Sequence, residues 1–280
     1  MTVAGALIRP MSAADTAPAA ELLRRGDWGE RLVFFDWAVR QPTLAPLVAV
    51  RAGEIVGTGV GSAHGSVGWV GTIFVAPDRR REGLGEALTR TVIDDLERRG
   101  CRTLVLIATD AGRPLYERLG FEVLVPQVFF SAPGLAPKQT DDRIRPFDQS
   151  MLTGIVALDR LATGEDRSTL MERVADPEST RVLVGLDGSQ RGFVIRASWG
   201  GVSLVAPKVD DAIHLLEWRR RQAGLDHPVY AGLPGGDDHR RAPLESAGWT
   251  LAGRGTRMIR GAPLGWNPDW IWGTFSGALG

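Results

Sequence analysis

The chain has 280 residues, with 33 basic and 33 acidic side chains, 44% hydrophobic residues and a single cysteine, Cys101. It is longer than one average domain of ~100 to 150 residues, apolar enough to bury a core, and without a net field to draw a polyanion or an anionic membrane. One thiol excludes an internal disulfide and any centre built from several thiolates; no apolar run reaches the ~18 residues of a membrane span, and Arg9 and Pro10 stop the stretch from Val3 to Ile8 too soon for a secretory signal.

A cytoplasmic protein with no nucleic-acid or membrane partner is therefore expected. Leu7 to Pro10 reads as a short strand, and Ser12 to Arg25 as a helix with apolar spacing at Ala19, Leu22 and Leu23, capped by Ser12 or Asp15. A second short helix is predicted between Arg31 and Arg40, ending before Pro42. Leu47 to Arg51 and Glu54 to Ser62 read as a hairpin turned at Ala52-Gly53, and Val67 to Val75 as a strand stopped by Pro77. From Gly85 to Arg98, Leu88, Val92 and Leu96 recur every four residues, which predicts an amphipathic helix closed by Gly100. Thr103 to Ala108 is apolar on both faces, as a buried central strand requires. A short helix from Gly112 to Leu119 and a strand from Phe121 to Val125 end the first half. Ser131 to Asp142, rich in Pro, Ala, Lys and Asp and without periodicity, reads as a linker.

The second half echoes the first. Ile144-Arg145-Pro146 repeats Ile8-Arg9-Pro10, Val205-Ala206-Pro207 repeats Val75-Ala76-Pro77, and Glu245-Ser246-Ala247-Gly248-Trp249 follows the pattern of Glu117-Arg118-Leu119-Gly120-Phe121. Order and approximate spacing are kept, which predicts a structural duplication.

The segment with chemical content runs from Ile73 to Leu88: a strand, a tight loop holding Gly83 and Gly85, then a helix whose first amides lack intrahelical acceptors. Such amides suit a pyrophosphate, and the two glycines let its oxygens approach the backbone. Arg79, Arg80 and Arg81 add positive charge. The loop has neither the Gly-Lys-Ser/Thr ending of a nucleotide-hydrolysing P-loop nor the three-glycine spacing of a dinucleotide fingerprint. Taken alone, a glycine pair ahead of a helix is more often a cap than a ligand site.

Arg80-x-x-Gly83-x-Gly85 after a strand ending Val-x-Pro, followed by Leu115-Tyr116-Glu117-Arg118-Leu119-Gly120-Phe121, resembles the GCN5-related N-acetyltransferase (GNAT) family over Ile8 to Val125. The doubled layout is similar to a two-domain bacterial subgroup, the YitH-like acetyltransferases. The resemblance implies an α/β (α+β) fold of tandem domains, each a mixed, mostly antiparallel twisted sheet flanked by helices, with the second degenerate. The expected division is 1–132, a linker 133–142, and 143–280. It implies acetyl-CoA as co-substrate and no metal. The carrier's pantetheine arm would lie along Ile73, Phe74 and Val75, and its pyrophosphate against Arg80, Arg81, Glu82, Gly83, Leu84, Gly85 and Glu86. The Val75 amide would hold the thioester oxygen. Tyr116 occupies the family's general-acid position; its other reading is a half-buried core aromatic.

The base stays open. His64, Asp110, Asp27 and Glu30 are the candidates, since Trp69, Val70, Leu104, Leu106 and Ile107 fill the central strands. His64 reads as a surface residue at a strand end and Asp110 as a helix cap. Trp28 and His64 are the candidate acceptor contacts. The family often holds CoA with an asparagine in a stretch where this chain has none, Leu104 to Tyr116. In the second half the glycine pair is gone and Leu244 stands where Tyr116 does, which predicts a noncatalytic copy that shapes the acceptor pocket or a homodimer interface. Arg160, Glu165, Asp166 and Arg167 read as a solvated helix end, and the aromatic tail from Trp266 to Trp272 as a cover for a sheet edge, a packing element on the first domain or a wall of the acceptor site. His214 and His239 lack ligand-spaced partners. A small-molecule primary amine is the expected acceptor. A CoA-binding sensor and an aminoacyl or peptidyl transferase on a doubled fold are the rival functions.

Overall fold

The computed structural model describes residues 2–138 and 141–280. The first half runs β1 (Thr2–Val3), β2 (Ala6–Pro10), α1 (Thr16–Arg25), α2 (Leu32–Ala38), β3 (Leu44–Arg51), β4 (Glu54–His64), β5 (Val67–Val75), α3 (Leu84–Arg98), β6 (Thr103–Ala108), α4 (Arg113–Arg118) and β7 (Glu122–Ala132). The second runs β8 (Ile144–Pro146), α5 (Leu152–Thr163), α6 (Ser168–Val174), β9 (Thr180–Val184), β10 (Gln190–Arg196), β11 (Val202–Val205), α7 (Val209–Ala223), β12 (Val229–Pro234), α8 (Asp238–Ser246) and β13 (Thr250–Gly261), with β14 (Ile271–Gly273) added at the end. From β2 to β7 and from β8 to β13 the order of strands and helices is the same. The duplication seen in three short echoes is a duplication of structure.

Local chemistry sets the elements. Asp15 accepts the Ser12 amide and hydroxyl at 2.7 and 2.6 Å and pairs with Arg9 at 2.7 Å, which fixes the entry to α1. Gly100, with φ of 88°, closes α3 as expected. β7 continues past Val125 to Ala132, so Ser131 and Ala132 belong to a strand, not to the linker; Gln139 and Thr140 of that linker lie outside the described residues.

The sheets do not follow the halves. One has nine strands in the order β1-β2-β3-β4-β5-β6-β13-β7-β12, and the other five, β14-β11-β10-β9-β8. β13, from the second half, lies between β6 and β7 of the first, with Met258 opposite Leu106 on one side and Val123 on the other. β12 then pairs with β7, Leu233 opposite Val128. Every pairing is antiparallel except β5 with β6. A single core also crosses the halves: Phe34, Phe35 and Val60 pack in one cluster with Ile155, Phe193 and Val205.

On the other face of the large sheet, α3 covers β4. Gly57, Gly59 and Gly61 alternate along that strand, and a Cβ on each would lie 3.0 Å from Leu88, 3.4 Å from Val92 and 3.0 Å from Val92 respectively. The bare stripe brings the helix axis close to the sheet and so fixes where the helix begins. Among the described residues no helix is long and apolar enough to cross a membrane.

Candidate active site

β5 and β6 pair only at Val67 with Thr103, Gly68 with Leu104 and Trp69 with Val105. Beyond Trp69 they splay. On its other edge β5 carries a bulge: Gly71 opposes Val60 and Phe74 opposes Thr58, so Thr72 and Ile73 share one partner position. Thr72 has φ of 52°, a strained conformation for a β-branched residue, and its carbonyl accepts the buried Thr58 hydroxyl at 2.9 Å. Downstream of the bulge, Ala76 donates to the Val56 carbonyl at 2.9 Å. Strand alternation therefore turns the Val75 amide the other way, into the splay.

The loop from β5 to α3 has Arg81 at φ 66° and Gly83 at φ 83°, the latter at the cap position of α3. The first helical bond runs from the Ala87 amide to the Gly83 carbonyl at 3.0 Å. None of the amides from Arg80 to Glu86 has an acceptor among the described residues. A Cβ on Gly85 would find Val75 and Leu115 only at 3.8 Å, so the protein's own packing leaves this position room. The glycine keeps a cradle open between helix start and splay. Glu82 and Glu86 are neutralised by Arg51 at 2.7 Å and Arg90 at 2.9 Å, so their carboxylates do not oppose an anion there. Arg80 donates to the Val75 carbonyl at 3.3 Å and stacks 5.9 Å from the Phe74 ring. Phe74 is buried, edge-on to Trp28 with centroids 5.4 Å apart, and its backbone alternates toward β4, so it does not face the splay.

A hollow of about 410 Å³ opens beside the splay, lined by Trp28, Glu30, Thr72, Ile73, Ile107 and Tyr116 from the first half and by Trp199, Gly200, Phe275 and Gly277 from the second. Tyr116 stands on α4, edge-on to Phe121 at 6.1 Å, and its hydroxyl has no hydrogen-bond partner among the described residues. Burial pushes its pKa up to about 12. Glu30 accepts the amides of Arg31 and Leu32 through Oε1, both at 2.7 Å, leaving Oε2 without a partner among the described residues. Arg31, on the same rim, has its pKa lowered by desolvation against the pull of Glu30.

Of the four base candidates, only Glu30 lines this hollow. His64 is corrected from a surface residue to an interior one: 2% exposed, with its Nε2 3.0 Å from the Ser62 hydroxyl and its pKa pushed down to about 3 by burial and by Arg167. It does not join Trp28 at the hollow. Asp110 does not cap α4, whose cap position is Gly112; the Thr109 hydroxyl accepts the Gly112 amide at 3.2 Å just ahead of the helix. The cluster from Arg160 to Arg167 is only half solvated. Arg160 and Asp166 pair at the surface at 2.6 Å, but Glu165 and Arg167 are buried, Arg167 against Asp159 and Glu165 accepting from Trp69 Nε1 at 3.0 Å.

Sequence reasoning missed the second-half residues of the hollow. The turn between β10 and β11 brings Trp199 and Gly200, and the chain after β14 runs back over β5 so closely that a Cβ on Gly71 would lie 2.3 Å from the Gly277 carbonyl. The bare Gly71, in a strand otherwise rich in bulky residues, was the available signal. In the second half the equivalent cleft is filled. β14 pairs with β11, Trp272 is buried with its Nε1 donating to the Ala206 carbonyl at 3.1 Å, and α7 begins two residues after Pro207 with no glycine loop. The aromatic tail thus covers the β11 edge of the second sheet by adding a strand to it.

A splayed parallel pair, a bulged central strand and a row of free amides at a helix start thus meet at one end of β5. Residues 14–121 match the acetyltransferase (GNAT) family. The chain is 25% identical over 172 residues to the uncharacterised N-acetyltransferase YitH of Bacillus subtilis (strain 168), a match spanning 59% of this chain and 60% of that protein. A structure from Pyrococcus horikoshii, described as a candidate acetyltransferase, superposes over the whole chain and 98% of its own with a TM-score of 0.84 at 20% identity. A tandem GNAT protein from the clavulanic acid biosynthesis pathway covers 92% of this chain and 99% of its own with a TM-score of 0.61 at 14% identity.

Proposed function

We propose that the protein is an N-acetyltransferase that moves an acetyl group from acetyl-CoA to the primary amine of a small molecule, in a complex holding both reactants. The reading rests on one observation: the unpartnered amides from Arg80 to Glu86 stand beside Gly85, where a Cβ would meet the protein only at 3.8 Å. The residues fit the carrier. Amides and helix dipole hold a pyrophosphate, and the carrier supplies an acetyl group activated as a thioester. Val75 offers its amide to the carbonyl oxygen, which as an oxyanion contact is worth ~3 kcal/mol. Glu30 draws the acceptor's ammonium to the hollow and receives its proton through solvent. Tyr116 keeps its own proton, since burial holds the phenol at about 12. A thiol titrates near ~8.5, so this phenol stabilises a departing thiolate by a hydrogen bond rather than by complete transfer. Residues 1–132 form the acetyl-transfer unit, and 143–280 a degenerate copy whose turn and tail wall the acceptor hollow.

The test is Gly85→Val. It is expected to leave the free protein folded, because the added Cβ meets Val75 and Leu115 only at ordinary contact distance, and to weaken CoA binding in calorimetry at least tenfold. Unchanged affinity sinks the reading. Tyr116→Phe is expected to lower kcat ~100-fold while CoA binding persists. CoA binding without turnover of any amine would instead favour a sensor.

A further inference from the structure

Beside the acceptor hollow lies a second one of about 400 Å³, and the two share Ile107, Gly200, Gly201, Ser276 and Gly277. The shared wall is mostly bare backbone. Cβ atoms on Gly200 and Gly277 would meet nothing within 4 Å, so a ligand chain can pass along it. The two hollows differ in charge. The first presents the Glu30 carboxylate with Arg31 beside it; the second presents Arg219 and Arg254 and no acidic residue.

Neither arginine is neutralised. Arg219, half-buried on α7, donates to the Tyr230 carbonyl at 3.0 Å and has no carboxylate partner among the described residues, nor has Arg254 on β13. Arg219 pays for its position: burial, then the neighbouring Arg196, pulls its pKa down to about 10. Arg219 also lines a third hollow with Asp176, Glu178 and Arg196, but forms no ion pair there among the described residues; Asp176 is engaged by the Ser179 and Glu178 amides at 2.9 and 2.8 Å. A half-buried guanidinium without a counterion is held for an anion that arrives.

We infer that the acceptor is zwitterionic, with its amine at Glu30 and Tyr116 and an anionic oxygen group, a carboxylate or a phosphate, at Arg219 and Arg254 across the shared glycine wall. This rests on the acetyl-transfer reading and narrows it to a substrate class. Along β13, Arg257 pairs with Ile107 and Arg254 follows three residues away. At ~3.3 Å per residue Arg254 stands ~10 Å along β13 from the position opposite Ile107 on the shared wall.

The experiment uses the full chain with acetyl-CoA and three matched series: ω-amino carboxylates of four to eight carbons, their primary amides, and ω-aminoalkyl phosphates. The anionic members are expected to have kcat/KM at least tenfold above the amides, and whichever of carboxylate or phosphate leads identifies the anion. In Arg219→Gln/Arg254→Gln that ratio is expected to collapse through KM for the anionic series. Gly277→Leu, which places a side chain in the passage, is expected to penalise the long anionic amines more than short ones. Amides equal to the anions in the parent, or a ratio unchanged in the double variant, overturns the inference. If no amine turns over, acetyl transfer fails by itself and calorimetry decides the anion site: binding of the N-acetylated ω-amino carboxylates, lost in the double variant, sustains it, and absence of binding refutes it.

Discussion

Tyr116 and Arg167 show how burial makes one side chain chemically available and another structurally indispensable. With its pKa pushed up to about 12 by burial, the Tyr116 phenol stays protonated well above neutrality, so the basic limb of the kcat profile is not set by its ionisation below pH 10. Its folded pKa lies above the unfolded value of ~10, so the stability its neutral form contributes is complete below that pH and is lost as pH rises through the folded value. A kcat profile that fell between pH 8 and 9 in the parent and stayed level in Tyr116→Phe would contradict this assignment. Arg167 donates to both oxygens of Asp159, and neither side chain is more than 2% exposed. Removing one partner strands the other. Arg167→Met is expected to cost ~3 to 5 kcal/mol in urea unfolding, and Arg167→Met/Asp159→Leu to recover most of it. Nearby, Arg257 is sandwiched between Trp69 at 4.7 Å and Trp266 at 4.5 Å, with Glu165 3.8 Å away. Burial pushes the Glu165 carboxyl up to about 7, against the attraction of Arg167 and Arg257.

At the scale of elements, the helix that carries the amide row is positioned by a strand that lacks side chains. Gly57, Gly59 and Gly61 let α3 settle on β4, and a larger residue there must lift the helix. Gly61→Val is expected to cost ~1 to 3 kcal/mol in urea unfolding through overpacking against Val92 and Leu96, and to weaken CoA binding although residue 61 is remote from the loop. Unaltered CoA affinity in a folded Gly61→Val protein would show that helix placement does not control the loop. The loop and its helix were legible because both signals are local: four-residue apolar spacing after two glycines. Tyr116 was legible through the resemblance of its local motif to the family, and the structure places it at the hollow. The bulge at Thr72 was not, because a left-handed threonine leaves no compositional mark; its neighbours Thr58 and Gly59 explain it only once β4 and β5 are paired. His64 and Glu165 misled for a related reason. Polar residues at element ends read as surface until a second layer covers them, and that layer comes from the other half of the chain.

At the scale of the molecule, strand exchange makes the halves interdependent. Periodicity shows that Thr250 to Gly261 can be a strand but not which edge it joins, since partners distant in sequence leave no local trace. Arg257 concealed it further, because a charged residue in a central strand reads as a solvent-facing position. β13 supplies Met258 to the core of the first half, opposite Leu106, and closes both the β6 and β7 edges. Without it those two edges are left open, and open apolar edges aggregate. The fragment 1–142 is therefore expected to be insoluble or molten when produced alone, despite containing the whole family match at 14–121. Co-expression of 1–138 with 139–280 is expected to restore a soluble complex that binds CoA. In the intact chain, urea unfolding followed by tryptophan fluorescence and by circular dichroism is expected to give coincident transitions, as one shared core and one exchanged sheet require. A soluble, cooperatively folded 1–142 fragment that binds CoA like the full chain would show that β13 is accessory, and that each half closes its own sheet.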